Sequence, residues 1–145
     1  MNKEVFLIFS MLGISYGIRL SRVREIATGL TQVTPVPDCS EWVLGVINLR
    51  GEITPVIDFR HKFSTISPPY NNETIVIALK FGDDRTMAIT VDAIETIETI
   101  DPAQTQEPPP IGNAIEPRYI EALVNIDGKM INLLNIDELM NLREI

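Results

Sequence analysis

The chain has 145 residues, 45 % of them hydrophobic and 22 % charged, which suits one compact domain or two very small halves sharing an interface. Its net charge of −8 argues against nucleic acid as a main partner, because phosphate binding needs a basic face. A single cysteine, Cys39, forbids an internal disulfide, and a lone histidine beside it, His61, argues against a tetrahedral zinc site.

The opening residues have the outline of a leader peptide, with Lys3 before the apolar run 5–9. Glu4 cancels that charge, Ser10 and Gly13 interrupt the run, and no small-x-small cleavage site follows, so the segment reads as a strand. Further strands are expected over 14–20, 32–36, 43–48, 53–58, 74–81, 86–91, 120–125 and 130–134, all short, apolar and rich in β-branched residues. Turn signals separate them at Gly13, Gly29, Arg50-Gly51, Gly82-Asp83-Asp84 and Asp127-Gly128. Short helical turns are expected after Leu20, after Val91 and over 136–142. Leu20, Val23 and Ile26, spaced by three, would share one face of the first. No apolar run approaches the roughly 20 residues of a membrane-spanning helix. The class is all-β.

The sequence also resembles itself. A shift of 71 places Val5-Phe6 on Val76-Ile77, Gly17-Ile18 on Ala88-Ile89, Val23 on Ile94 and Ile26 on Ile97. The same shift puts Ser21 on Asp92, both good helix N-caps. A shift of 77 places Trp42 on Tyr119, Asn48 on Asn125, Gly51 on Gly128 and Ile53 on Met130. The six extra residues fall in the loop around Pro108-Pro109-Pro110. Two related halves, about 1–71 and 72–145 with possible exchange of strands, are expected, each too small to stand alone. They differ in charge: seven Lys/Arg face six Asp/Glu in the first, and five face fourteen in the second. Arg50 at one hairpin tip corresponds to Asp127 at the other, which suggests surfaces facing different neighbours.

Catalytic constellations are missing. The sequence holds no phosphate-cradling glycine loop, no nucleophile elbow and no His-Glu-x-x-His pair. Asp58 and His61, three apart, could form an acid–base pair, but with no nucleophile in view a solvated hydrogen bond is the simpler reading. Cys39 has no basic neighbour in sequence to activate it. Asp83-Asp84 lacks the ligand ladder of a calcium loop and suffices as a hairpin tip.

The densest segment, Trp42 to Asp58, reads as strand, tight turn, strand. Gly51 permits a positive φ after Arg50, so the guanidinium is displayed at a hairpin tip. Pro55 cannot donate to a ladder, which places its strand at an edge or at a bulge. The core Gly45-Val46-Ile47-Asn48-Leu49-Arg50-Gly51, with Tyr16-Gly17-Ile18, Val23-Arg24-Glu25-Ile26, 33–37 and Val91-Asp92, closely resembles the CheW family of bacterial chemotaxis over about residues 4–142.

That resemblance implies two pseudo-symmetric five-stranded SH3-like β-barrels with short helical turns, no enzymatic activity and no cofactor. It implies a cytoplasmic adaptor, associated with membrane-bound receptor arrays but not inserted in the membrane. Such an adaptor couples the tips of methyl-accepting chemotaxis receptors to the regulatory domain of the histidine kinase CheA, or plays the same role in a pilus-type pathway. By match to the family motif it places Val23, Gly45 and Arg50 at the receptor site and Glu25 and Ile26 at the kinase site, with Glu25 pairing Arg50.

Overall fold

A computed structural model of the chain describes residues 3–28, 33–35, 43–58, 74–81, 85–110, 112, 115 and 117–139. The expectations for Gly29, Cys39, Trp42, His61 and the turn at Gly82-Asp83-Asp84 lie outside these residues. Among the described residues eleven strands follow in chain order: β1 (Glu4–Met11), β2 (Ile14–Arg19), β3 (Val23–Thr28), β4 (Val43–Leu49), β5 (Glu52–Ile57), β6 (Ile75–Phe81), β7 (Arg85–Val91), β8 (Ala93–Ile100), β9 (Thr105–Gln106), β10 (Ile120–Ile126) and β11 (Lys129–Leu134). A single turn of helix, α1 (Ile136–Leu139), follows β11, and 3-10 turns occupy Leu20–Arg22, Pro102–Gln104 and Pro117–Tyr119. The all-β class holds.

The strands form two sheets, ordered β8-β1-β2-β11-β10-β9 and β3-β6-β7-β5-β4. They belong to two compact units. The terminal unit comprises Met1–Ser21 and Ala93–Asn141, and the central unit spans Arg22–Asp92. Each unit therefore draws strands from both sequence halves. Under the shifts of 71 and 77 the order β3-β6-β7-β5-β4 coincides with β8-β1-β2-β11-β10, provided β3 and β8 trade places: β3 pairs with β6, and β8 with β1, while the place of β9 is taken by the Thr34–Val46 bridge. Even the parallel pairings match, Leu133 beside Gly17 in one sheet and Val56 beside Ala88 in the other.

Local chemistry explains the shared frame. Three hairpins close through two-residue loops in which both residues have positive φ: Leu12-Gly13 at 51° and 79°, Arg50-Gly51 at 52° and 84°, and Asp127-Gly128 at 52° and 83°. This geometry matches the right-handed twist of the flanking strands. Asn48 Oδ1 accepts from the Gly51 N–H at 2.8 Å, and Asn125 Oδ1 from the Gly128 N–H at 2.9 Å, so the equivalent turns carry the same side-chain clamp. Phe6, Ile8, Ile100, Val124, Ile131 and Leu133 form the terminal core. Val56, Val76 and Ala88, with Leu44 and Ile47 packed against them, form the central one. Each large side chain so buried contributes about 1.5–3 kcal/mol.

Some expectations are corrected. The residues after Val91 are strand β8, not a helical turn, so Asp92 precedes a strand and not a helix. The turn after Leu20 lasts three residues and gives way to β3, so Val23 and Ile26 lie on a strand, not on a helix face. Both misreadings have one cause. The register shifts between Val23 and Glu25 on β3, and Glu95 on β8 is passed over between Ile8↔Thr96 and Phe9↔Ile94. A bulge adds one residue and breaks the period-2 alternation, which leaves apolar residues at the spacing of a helix. Of the strand expected over 32–36, the described part makes only a bridge, Thr34 with Val46. Pro55 lies on an interior strand, yet β7 pairs β5 only at Val56 and Ile57, so no ladder bond is lost there. Asp58 is buried rather than solvated.

Candidate interaction surface on the central unit

β3 and the β4–β5 hairpin carry all five residues singled out in the sequence. Arg50 stands at the hairpin tip with its side chain 82 % exposed, and its Nε lies 3.3 Å from Oε1 of Glu25, which is 26 % exposed on β3. One residue earlier, Arg24 reaches from the β3 bulge to the Thr86 hydroxyl on β7 and to Glu52 on β5, Nη1 to Oε2 3.9 Å. Arg24 and Thr86 stand on strands two spacings apart and Arg24 and Glu52 on strands three apart, roughly 14 Å on a flat sheet, a gap that a long guanidinium side chain and the twist of a sheet help to close. An exposed ion pair of this kind stabilises the fold by only about 0–1 kcal/mol. Its effect is to orient a planar guanidinium that can still take a second carboxylate, a geometry lysine does not reproduce.

Ile26 follows Glu25 and is 44 % exposed, and Val23 at the start of β3 is half-buried. Gly45 is different. It is buried at φ 146°, and a Cβ there would lie 2.8 Å from the Thr34 carbonyl carbon and 3.0 Å from Pro35 Cα. Its absent side chain admits the 33–35 strap, which exchanges two 2.9 Å backbone bonds with Val46. Gly45 thus presents no surface of its own. It holds the segment that borders the hairpin.

Ile53 was not singled out. At 69 % exposure it is the most open large hydrophobic side chain among the described residues, beside Glu52 and opposite Asn48. The pleat explains it: Thr54 and Val56 point inward and are fully buried, which turns Ile53 outward. A binary pattern favours the reverse, and only the register exposes the inversion.

The terminal unit repeats the bulge contact with opposite polarity. Glu95, the bulge residue of β8, accepts from Ser15 Oγ at 2.7 Å and pairs with Lys129. These three correspond to Arg24, Thr86 and Glu52. Partial burial would raise the Glu95 carboxyl, but the bonds from Lys129 and Ser15 outweigh it and hold the group below the ordinary carboxylate range. Nearby on β2, burial pushes the Tyr16 hydroxyl up to about 12 while its ring stacks on Phe9 at 5.9 Å. Asp127 takes the place of Arg50 and Thr96 that of Glu25, so the hairpin-tip pair of the central unit has no equivalent here. Among the described residues no cluster of three His, Cys, Asp or Glu side chains could hold a metal. No described helix is long and apolar enough to cross a membrane.

The geometry sits within a recognisable lineage. A family model, the CheW-like domain, matches residues 5–144. The chain is 34 % identical over 142 residues to the chemotaxis protein CheW of Klebsiella aerogenes, covering 98 % of this chain and 84 % of that one. It is 34 % identical over 122 residues to the chemotaxis protein CheW of Rhizobium meliloti, covering 83 % and 76 %. The crystal structure of the scaffolding protein TtCheW from Thermoanaerobacter tengcongensis superposes with a TM-score of 0.85 at 26 % identity, covering all of this chain and 92 % of that one. The chain belongs to the CheW-like domain family.

Proposed function

We propose that the chain is a non-enzymatic adaptor of chemotaxis signalling, coupling the cytoplasmic tips of methyl-accepting receptors to the regulatory domain of the histidine kinase CheA. Its relatives are chemotaxis proteins and a scaffolding protein, which supports the adaptor class. The observation that carries the finer reading is the Arg50–Glu25 pair, which joins a displayed hairpin to strand β3. In this reading Arg50 and Val23 meet the receptor, with Gly45 holding the wall beside them, while Glu25 and Ile26 meet the kinase. Ile53 extends the apolar part of that surface. An exposed apolar side chain beside a guanidinium suits a helix that offers an apolar residue and a carboxylate.

Binding of the purified chain to a receptor cytoplasmic fragment and, separately, to the CheA regulatory domain tests this. Arg50→Ala should leave stability within about 0.5 kcal/mol and weaken receptor binding on the order of tenfold, as loss of an interface arginine does. Glu25→Ala and Ile26→Ala should weaken kinase binding more than receptor binding. Equal losses toward both partners would argue against separate faces, and a chain that binds neither protein would end the proposal.

A further inference from the structure

Asp127-Gly128, at the tip between β10 and β11, is the only Asp-Gly pair in the sequence, and no asparagine precedes a glycine. Both residues are exposed, with φ of 52° and 83°, and a Cβ placed on Gly128 would meet no atom within 4 Å. The Gly128 N–H donates to Asn125 Oδ1 at 2.9 Å. At the equivalent tip the Gly51 N–H donates to Asn48 Oδ1 at 2.8 Å, but the residue before that glycine is Arg50. Two tips of one geometry thus differ in whether a carboxyl precedes the glycine amide.

We propose that Asp127 is a modification site, where the chain converts spontaneously to isoaspartate, and that Asn125 holds the conversion back. The Gly128 nitrogen attacks Cγ of the protonated Asp127 carboxyl. An N–Cγ bond forms, the amide proton and a carboxyl hydroxyl leave as water, and a five-membered succinimide results. Water then reopens the ring. Breaking the N–Cγ bond restores aspartate. Breaking the bond from that nitrogen to the Asp127 carbonyl carbon gives isoaspartate, whose main chain runs through Cβ and Cγ. Water is released and taken up again, so nothing is oxidised or reduced.

Glycine favours the step, because no side chain blocks the approach and its backbone turns freely. After every other aspartate the next residue carries a side chain, and Pro102, after Asp101, has no N–H to lose. The bond to Asn125 opposes the step, since the amide must leave Oδ1 before its nitrogen can face Cγ. The product does not fit the present turn. A two-residue loop of this kind closes on two positive φ angles, and an extra main-chain carbon displaces Lys129 from its pairing with Ile126 and from Glu95. Arg50 carries no carboxyl, so only one of the two equivalent hairpins changes as the protein ages.

The purified full chain, incubated at physiological temperature and neutral pH, tests this. After digestion with trypsin, labelling by an isoaspartate-specific carboxyl methyltransferase should rise with time in the peptide from Tyr119 to Lys129. Asn125→Ala should speed that rise roughly two- to tenfold, the factor for releasing one ordinary hydrogen bond. Asn48→Ala, which removes the same bond at the other tip, should leave the rate at Asp127 unchanged. Asp127→Glu, which would need a six-membered ring, should stop the labelling. A wild-type peptide that stays unlabelled would overturn the site. Equal rates in wild type and Asn125→Ala, or equal acceleration by Asn48→Ala, would overturn the role of Asn125.

Discussion

The two units share a strand order, a hairpin turn with its asparagine clamp, and bulges at the same places, yet they differ in what they place on that frame. The central unit displays Arg50 and anchors Arg24 on Glu52; the terminal unit displays Asp127 and anchors Glu95 on Lys129. Backbone geometry is what the copies keep, and side-chain charge is what they are free to change. Apolar exposure follows the frame as well: Ile26 and Ile53 are open in one unit, and their equivalents Ile97 and Met130 in the other.

The sharpest way to break the equivalence is at Gly45, whose counterpart is Ala122. Gly45→Ala should cost about 2–4 kcal/mol, combining backbone strain with overpacking against the Thr34 carbonyl. Ala122→Gly should cost about 0.5–1 kcal/mol. Denaturant midpoints of the two variants would check this, and similar losses would mean that the strap does not define Gly45. The glycines of the tips should behave alike. Gly51 and Gly128 have φ of 84° and 83° with open space around them, so alanine at either should cost the same, about 1–2 kcal/mol, from conformation alone.

The smallest effects belong to the bulge ion pairs. Glu95→Gln should cost no more than about 1 kcal/mol near neutral pH. Because folding lowers the Glu95 pKa, its stabilisation is complete above the ordinary carboxylate value of 4.5 and fades as pH falls through the lower folded value. Thermal unfolding of wild type and variant should therefore differ at pH 7 and converge in acid. A gap that widened on acidification would reverse the assignment.

Much of the frame was legible in the residues. The glycine pairs marked the hairpin tips, β-branched runs marked most strands, and the repeat anticipated matching sheets. Strands β3 and β8 were not legible, because their bulges imitate helical spacing and their pairing is remote. The displayed Arg50 could be read from Gly51, since a positive φ is a local demand. Gly45 was placed by family pattern alone, and its reason, the Thr34 carbonyl, is supplied by a segment joined only through folding. The bonds from Arg19 to Glu4 and Glu121 were invisible for the same cause: the three residues stand on β2, β1 and β10, and nothing local ties them.

Because Glu4 pairs with Ile100, β1 leaves a ribosome well before one of its two neighbours, β8, has been made. At typical elongation rates of about 5–20 residues per second, that delay is roughly 5–20 s. Through that interval β1, with its run of large apolar side chains, keeps an unmatched edge that β2, paired on its other side, does not cover. Synthesis rate and chaperone supply should thus affect how much native protein a cell accumulates.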